Sequence, residues 1–221
     1  STNSDLVSKA SELPDGFILV SDHQTEGRGR LERHWEAPPS KNLLFSVLLH
    51  PNWPIERHQL VTPALAIATV EVLERLGLRA TVKWPNDVMV EREGEKKIAG
   101  ILAEYVKQEN PVLVVGMGLN IEWPQQEDPA PPNSTSLKAC GIEKDRWKML
   151  IEILKNFEQR LIEISSEKGT STFRQAYTAK SSTIGNQVKV EKSDGDIVGK
   201  AIDVEEDGSL IIENENGTTS I

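Results

Sequence analysis

The chain has 221 residues and a net charge of −9, from 25 lysines and arginines against 34 aspartates and glutamates, so no nucleic acid or other polyanion is expected as a partner. Hydrophobic residues make up 38% of the sequence, but the most apolar stretch, residues 60–73, is too short and too interrupted to cross a membrane. The lone cysteine, Cys140, cannot form an intramolecular disulfide and favours a reducing, cytoplasmic location.

Helices and strands are predicted in turn along the first part of the chain. Polar residues at the start predict a helix that ends at the turn 14–16, and a buried strand follows at 17–20. A second strand at 42–49 is apolar on both faces, which favours a central position in a sheet. Apolar residues then recur at the helical period from about Glu56 to Leu76, and Gly77 ends this helix.

The middle of the chain is predicted to be mainly strands. A short strand at 81–84 precedes a hairpin formed by 88–90 and 98–106, and another apolar strand covers 111–118. Four prolines between 123 and 136 predict a surface loop. Asp145 should then cap a helix whose apolar stripe is Trp147, Leu150, Ile151, Leu154, Phe157, Leu161 and Ile164.

The composition changes near Gly185, where short alternating strands begin. They are predicted at 187–191, 198–204 and 210–213, and the separating turns are Asp194-Gly195 and Asp207-Gly208. This pattern indicates a small β-barrel or β-meander at the end of the chain. We therefore expect an α+β fold with a mixed β-sheet flanked by helices, divided into residues 1–182 and a second module at 183–221.

Several common catalytic devices are absent from the sequence. It contains no phosphate-binding GxxxxGK[ST] loop, no GxSxG elbow and no GxGxxG between a strand and a helix. Its histidines, which we interpret as surface or incidental residues, show no metal-ligand spacing with one another or with Cys140; they are His23, His34, His50 and His58.

The segment from Gly27 to Trp35 is the most informative part of the chain. It places three arginines and two glycines close together in an otherwise acidic protein. Glycines allow a backbone to fold over a ligand, and guanidinium groups bind planar anions. A small anion enclosed by a mobile loop is the interpretation that fits the overall charge.

Other cationic and amide-bearing residues fall at predicted strand ends. Each has an ordinary structural explanation when taken singly: a turn at 84–87, a charged edge strand at 96–97, or a bulge at 116–118. Their joint occurrence in one order is much harder to explain by chance.

Together these residues resemble the catalytic and C-terminal parts of the biotin–protein ligase family, also called biotin–[acetyl-CoA-carboxylase] ligase. The resemblance runs from Ser1 to about Asp207. The matching segments are Ser1-Thr2-Asn3, Gln24, Gly27-Arg28-Gly29-Arg30-x-x-Arg33-x-Trp35, Lys83-Trp84-Pro85-Asn86-Asp87, Lys97-Ile98-Ala99-Gly100-Ile101 and Gly116-x-Gly118-x-Asn120.

The resemblance implies an SH3-like barrel after the catalytic part and a two-step reaction. ATP and biotin give biotinyl-5′-adenylate and pyrophosphate, and biotin then passes to one lysine of a biotin carboxyl carrier protein. It implies biotin-binding residues Ser1, Thr2, Asn3, Gln24, Gly27, Arg28, Gly29, Arg30, Lys97, Gly100, Gly116 and Gly118. It implies ATP-binding residues Arg28, Arg30, Arg33, Trp35, Lys83, Asn86, Lys97 and Asn120.

Lys97, Arg30 and Asp87 are the catalytic residues that the resemblance implies. Lys97 would hold the biotin carboxylate, while Arg28 and Arg30 would close over the adenylate. Magnesium should accompany the triphosphate, and Asp87 is our hypothesis for the residue that helps bind the metal or receives the incoming lysine.

The sequence also departs from the family pattern. Family members carry a strand before the Ser-Thr-Asn segment and a further strand near the other end, so we expect both ends to be shortened here. No helix-turn-helix precedes the catalytic part, which argues against a repressor role. Relatives occur as monomers and as dimers, so a homodimer stays open.

Two alternatives compete with this interpretation. A lipoate or octanoate ligase or transferase would share the catalytic fold, although the arginine-rich loop favours biotin. A non-catalytic biotin-binding module is the second alternative, and the intact set of Lys97, Arg30 and residues 83–87 argues against it.

Overall fold

The computed structural model describes residues 1–106, 111–123, 131–166, 169–192 and 195–221. The helices are α1 (Thr2–Ser8), α2 (Val61–Arg75), α3 (Arg146–Ser165) and α4 (Gly169–Lys180), with short 3₁₀ turns at Arg30–Glu32, Ile55–Leu60 and Lys138–Cys140. The strands are β1 (Ile18–Ser21), β2 (Leu43–Leu49), β3 (Ala80–Lys83), β4 (Asp87–Glu91), β5 (Glu95–Val106), β6 (Val112–Leu119), β7 (Gln187–Val190), β8 (Ile197–Val204), β9 (Leu210–Asn214) and β10 (Gly217–Ser220).

The strands form two sheets, which confirms the α+β class. The six-stranded sheet has the order β1-β2-β6-β5-β4-β3, and the four-stranded sheet has the order β10-β9-β8-β7. The larger sheet was expected to be mixed, but its neighbouring strands all pair antiparallel. Among the described residues, parallel pairing occurs only in single-residue bridges, Val82 with Ser181 and Lys97 with Ser134. The reason is that β3 to β6 follow one another directly, without helical crossovers.

Helices cover both faces of the larger sheet. Eleven residues of α2 are buried, and this helix lies with α3 against one face in the main core. The other face carries α1, whose Leu6 packs against Leu48 and Val114. Strand β2 is buried at every position and lies inside the sheet, as its apolar sequence predicts. No helix in the described ranges is long and apolar enough to span a bilayer.

Two predictions about burial were wrong. Strand β1 was expected to be buried, but it is the edge strand and its residues are half-buried or exposed. In α3 the predicted stripe is buried at Leu150, Phe157 and Ile164, but Trp147 and Ile151 are 44% and 52% exposed. Met149 and Ile153 are buried instead. The contacts of α3 with α2 rotate the buried stripe, and Arg146 stacks on the exposed Trp147 ring at 4.7 Å. The predicted cap is present, since Asp145 accepts hydrogen bonds from two backbone amides.

The rest of the chain adds elements that the sequence pattern did not reveal. Helix α4 and strand β10 were not predicted. In the predicted loop, residues 124–130 lie outside the described residues, and Thr135 and Ser136 are buried, not surface residues. Asp194 of the first predicted hairpin turn is also not described. The second turn is present at Gly208, whose φ is 92°.

Candidate functional site

A cleft of about 860 Å³ lies on the α1 face of the larger sheet. Its floor contains glycines on paired strands: Gly100 of β5 lies opposite Gly118 of β6, and Gly116 lies opposite Ser46 of β2. The arginine-rich loop, the loop between β3 and β4, and the C-terminal sheet form its walls. The cleft is therefore built from both parts of the chain.

A β-bulge brings Lys97 to this floor. In a regular strand, residues 97 and 100 would point to opposite faces. The register between β4 and β5 shifts, so that Val88 pairs with Ala99 but Met89 pairs with Lys97. The extra residue turns Lys97 to the same side as Gly100, and its Nζ would lie 3.2 Å from a Cβ at Gly100.

The ammonium group of Lys97 lies between an anion and an aromatic ring. Its Nζ is 2.6 Å from Asp87 Oδ1, and both side chains are about two-thirds buried or more. The same Nζ is 5.4 Å from the centre of the Trp35 ring, within the range of cation–π attraction. A cation held this way at the floor of a cleft is placed to bind a ligand carboxylate.

Trp35 lies flat over the glycine floor. A Cβ on Gly118 would be 2.4 Å from the indole, and one on Gly100 would be 2.8 Å from it. A Cβ on Gly116 would be 2.1 Å from Asn3 Oδ1. These glycines, which the resemblance implies as biotin-binding residues, make room for the side chains of Trp35 and Asn3. The Trp35 indole N–H is buried without a hydrogen-bond partner among the described residues.

The arginine-rich loop folds back on itself as a small hairpin. Trp35 N donates to Gly27 O at 2.9 Å, and Gly29 N donates to Arg33 O at 2.7 Å. At the tip, Leu31 has a φ of 54° and is 70% exposed. Gly27 is buried against Trp35, where a Cβ would be 2.3 Å from Trp35 O. Glycine is required there for the loop to close.

The end of the cleft near α1 carries uncharged polar groups. Gln24 Oε1 accepts from Thr2 N at 2.9 Å, and Ser46 Oγ lies 2.7 Å from Thr2 Oγ1 and 2.6 Å from Asn3 Oδ1. Asn3 donates both amide hydrogens, to Leu102 O and to Glu104. The side chain of Asn3 therefore supports the wall and has little capacity left to bind a ligand.

The cations of the cleft divide into engaged and free groups. Arg28 pairs with Glu104 at 2.8 Å, and Arg33 is 3.7 Å from Glu191 in an exposed pair. Within the described part of the chain, the side chains of Arg30 and Lys83 form no ion pair. Desolvation lowers the pKa of Arg30 and the charge of Asp87 opposes this, but a guanidinium stays charged at neutral pH. Arg30 and Lys83 are thus available to an anionic ligand.

The loop between β3 and β4 connects the cleft to the C-terminal sheet. Trp84 N donates to Thr183 Oγ1 at 2.9 Å, and Trp84 Nε1 donates to Gly208 O at 3.2 Å. Asn86 Nδ2 donates to Ile101 O at 2.7 Å, so its amide supports β5. The Trp84–Pro85 bond is cis.

Most of the residues predicted for the site line the cleft. They are Ser1, Thr2, Asn3, Gln24, Arg28, Gly29, Arg30, Arg33, Trp35, Lys83, Asn86, Asp87, Lys97, Gly100, Gly116 and Gly118. Gly27 and Asn120 do not line it. Asn120 is buried and its Nδ2 donates to Thr135 O at 3.1 Å, because the end of β6 turns beneath the loop that follows it.

The sequence reasoning missed several residues. Ser46 lies inside an apolar strand, so its sequence surroundings give no indication of a role. Only the strand register, which places Ser46 opposite Gly116, would have revealed it. Glu104 is an acidic residue of β5 that belongs to none of the motifs. His34, treated as incidental, lines the cleft. The C-terminal module adds a wall of the cleft that no sequence motif predicted. The residues of this wall are Thr183, Asn186, Gln187, Val188, Lys189 and Val190.

Comparison with known proteins identifies the family. The model of the Biotin/lipoate A/B protein ligase family matches residues 1–122, and that of the Biotin protein ligase C terminal domain matches residues 183–221. The Biotin--[acetyl-CoA-carboxylase] ligase of Mycobacterium tuberculosis is 34% identical over 96% of this chain and 80% of its own length. The Bifunctional ligase/repressor BirA of Bacillus spizizenii is 31% identical over 96% of this chain, which spans 66% of that relative.

A solved structure agrees with these relatives. The biotin protein ligase from Aquifex aeolicus, in complex with biotin and ATP, is 31% identical and superimposes with a TM-score of 0.80. The match covers 100% of this chain and 91% of that chain. The two family models and the solved structure thus assign the chain to the same family. The chain belongs to the biotin protein ligases of the Biotin/lipoate A/B protein ligase family.

Proposed function

We propose that this chain activates biotin with ATP to biotinyl-5′-adenylate and transfers the biotinyl group to a lysine of a biotin carboxyl carrier protein. One observation carries the proposal: a single cleft has uncharged hydrogen-bonding groups at the α1 end and Lys97, Arg30 and Lys83 towards the other. Biotin has an uncharged ureido ring and a carboxylate, and ATP adds a triphosphate. The two ends match these chemistries, as the Aquifex complex with biotin and ATP also suggests.

In the first step, a carboxylate oxygen of biotin attacks the α-phosphorus of ATP. The bond to the β-phosphate oxygen breaks, and pyrophosphate leaves with the electron pair. Two anions must approach each other, which is unfavourable unless cations offset the repulsion. Lys97 would hold the carboxylate, while Arg30 and Lys83 would bind the phosphates because neither forms an ion pair with the residues that the structure describes.

In the second step, the amine of the acceptor lysine attacks the carbonyl carbon of the adenylate. The carbon–oxygen bond to AMP breaks, and AMP leaves as the phosphate anion. The amine must lose a proton, and Asp87 is the acid residue that could accept it, since it lies 2.6 Å from Lys97. The arginine-rich loop would keep water from the mixed anhydride meanwhile.

Magnesium would reach this cleft bound to the triphosphate. The described residues contain no group of three or more histidine, cysteine or acidic side chains that could hold a metal ion. Magnesium needs few protein ligands when phosphates and waters supply the rest. Asp87 therefore fits an ion brought by the nucleotide better than a metal site built from side chains alone. The magnesium ion would neutralise negative charge on the phosphates.

The test measures pyrophosphate release with ATP and magnesium, with biotin, with lipoate and without either acid. We expect biotin-dependent release that falls about 100-fold in Lys97→Ala, because a charge that stabilises the developing anion is removed. Lys148→Ala, on the exposed side of α3, is the matched control and should keep the full rate.

Three outcomes would contradict the proposal in different ways. Release with lipoate but not biotin would assign the chain to the lipoyl enzymes of the same family. Biotin binding without release would indicate a non-catalytic module. An unchanged rate in Lys97→Ala would remove Lys97 from the chemistry.

A further inference from the structure

Glu104 lies on β5 just beyond the cleft, and its carboxylate connects two separate parts of the site. Its Oε2 accepts a hydrogen bond from Asn3 Nδ2 at 2.9 Å. Both carboxylate oxygens accept from Arg28 Nη2, at 2.9 and 2.8 Å. Asn3 belongs to the wall at the α1 end, whereas Arg28 belongs to the loop that covers the cleft. Glu104 is not among the residues that line the cleft, and its carboxylate contacts Asn3 and Arg28, which do line it.

The contact with Asn3 continues into a chain of polar side chains. Ser46 Oγ is within hydrogen-bond distance of Asn3 Oδ1 and of Thr2 Oγ1. The backbone N–H of Thr2 donates to Gln24 Oε1. Asn3 is only 3% exposed, so its orientation is held firmly by these partners. A carboxylate anchored on such a group has a defined position, unlike an acid on the surface.

The contact with Arg28 ties the loop to the sheet by an ion pair, in addition to the packing of Trp35 on the glycine floor. Besides the Arg28 side chain, the hairpin is closed by its own backbone bonds between residues 27 and 35 and between 29 and 33. Those bonds shape the loop but do not tie it to the sheet. The bond from Arg28 to Glu104 does, because Glu104 belongs to the rigid strand β5. Arg28 was expected to face the adenylate, yet its charge is already paired in the closed loop.

We infer that Glu104 is a positioning residue that holds the arginine-rich loop closed over the cleft through Arg28, while Asn3 fixes the direction of its carboxylate. The inference rests on the proposed function for its consequence: a loop held closed retains the acyl-adenylate and protects it from water. Loss of the carboxylate charge should loosen the loop even without ligand.

The first experiment measures the loop itself in the full chain without ligand. Chymotrypsin can cut after Leu31 and Trp35, so its cleavage rate there reports loop opening. Glu104→Gln keeps an acceptor for Asn3 but loses the charge that binds Arg28. A hydrogen bond to a charged group is stronger than one between neutral groups, so we expect cleavage to rise about ten-fold. Glu122→Gln, which breaks an ion pair with Lys41 and Lys138 outside the cleft, should not change it.

The second variant, Arg28→Ala, separates a loop-holding role from a purely structural one. If the pair acts as a unit, Arg28→Ala, Glu104→Gln and the double variant should all be cleaved at the same raised rate. Additive effects, or an unchanged rate in Glu104→Gln, would overturn the inference. This readout needs no activity, so it decides on Glu104 even if the proposed function fails.

The third measurement concerns the intermediate. Without an acceptor protein, biotin-dependent pyrophosphate release should continue about ten times faster in Glu104→Gln than in the unaltered chain, because adenylate escapes the loosened loop. Slower release with normal loop cleavage would show that Glu104 serves the chemistry in another way and would contradict the loop-holding role. Absence of release in the unaltered chain would refute the proposed function alone.

Discussion

Single glycines on the cleft floor decide where two side chains of the site can lie. Gly118 and Gly100 leave the space that the Trp35 indole fills, and Gly116 leaves the space for Asn3 Oδ1. Their role is steric, because their strand backbone needs no left-handed φ. Trp35 in turn contacts the ammonium of Lys97, so a glycine of the floor indirectly affects the reacting end of the cleft.

Gly118→Ala should therefore displace Trp35 and weaken ligand binding. The new methyl group would lie 2.4 Å from the indole, and overpacking of this kind costs about 1–3 kcal/mol. We expect KM for ATP and biotin to rise on the order of ten-fold, measured by initial rates. Gly94→Ala, at a φ of 93° in open space, should lower Tm but leave KM unchanged. An unaltered KM in Gly118→Ala would show that Trp35 is not needed for binding.

Among the elements, the loop from Gly27 to Trp35 is anchored near its ends but has an exposed tip. Its tip is exposed at Leu31, and Arg33 forms only a long, exposed ion pair with Glu191. Exposed pairs of this kind contribute about 0–1 kcal/mol. A tip with so few contacts can open to admit substrates and close again once they supply new contacts.

Residues of about 27 to 34 should accordingly be protected from trypsin when biotin and ATP are bound. The arginines of the loop are the cleavage sites, and ligand anions should bind Arg30 and order the backbone around it. The measurement is the cleavage rate with and without both ligands, followed by mass spectrometry of the fragments. Cleavage at Arg92, in the exposed turn between β4 and β5, serves as the internal control. Equal sensitivity of the loop in both conditions would count against its closure.

At the scale of the whole molecule, the C-terminal sheet contacts the catalytic part of the chain beside the cleft that both parts line. Trp84 bonds to both Thr183 and Gly208, and Arg174 of α4 pairs with Asp203 of β8. Burial alone would raise the pKa of Asp203, but the Val204 amide, Arg174 and Thr178 outweigh it and hold the pKa below its ordinary value of 3.8.

The Asp203 interactions should therefore stabilise the fold in a pH-dependent way. A carboxyl group with a lowered folded-state pKa stabilises the protein above its unfolded pKa, and this contribution is lost as the pH falls through the folded value. We expect Asp203→Asn to have a lower Tm than the unaltered chain at pH 7, and the difference should shrink below pH 3.8. Thermal unfolding at both pH values measures it. A difference that does not change with pH would assign the effect to packing.

Most of the secondary structure could be predicted because its signals are local. Apolar runs marked β2 and β6, Gly77 marked the end of α2, and Asp145 marked the start of α3. The errors concerned burial, which depends on the helices and strands that pack beside an element. Strand β1 is half-exposed because no strand pairs with its outer side in the described chain, and α3 is rotated by its contact with α2. Helix α4 has a weak pattern of apolar residues, and packing of Phe173 and Tyr177 in the core stabilises it.

The residues that line the cleft were also largely predictable, whereas the roles expected for them stay predictions. The motifs named Lys97, Asp87 and Arg30, and all three line the cleft. Asn3 and Arg28 were expected to bind ligand, yet their polar groups are engaged by Glu104. Spacing along a chain cannot show which hydrogen-bonding groups are already occupied.

By itself the sequence determined the family, the α+β class and many of the residues around the cleft, since motifs and periodicity depend only on chain order. The tertiary structure alone decided how these residues are used. The bulge in β5 turns Lys97 to the floor, strand pairing places Ser46 opposite Gly116, and Glu104 meets Arg28 across 76 positions of sequence. Each depends on register and packing between distant segments, which local sequence does not encode.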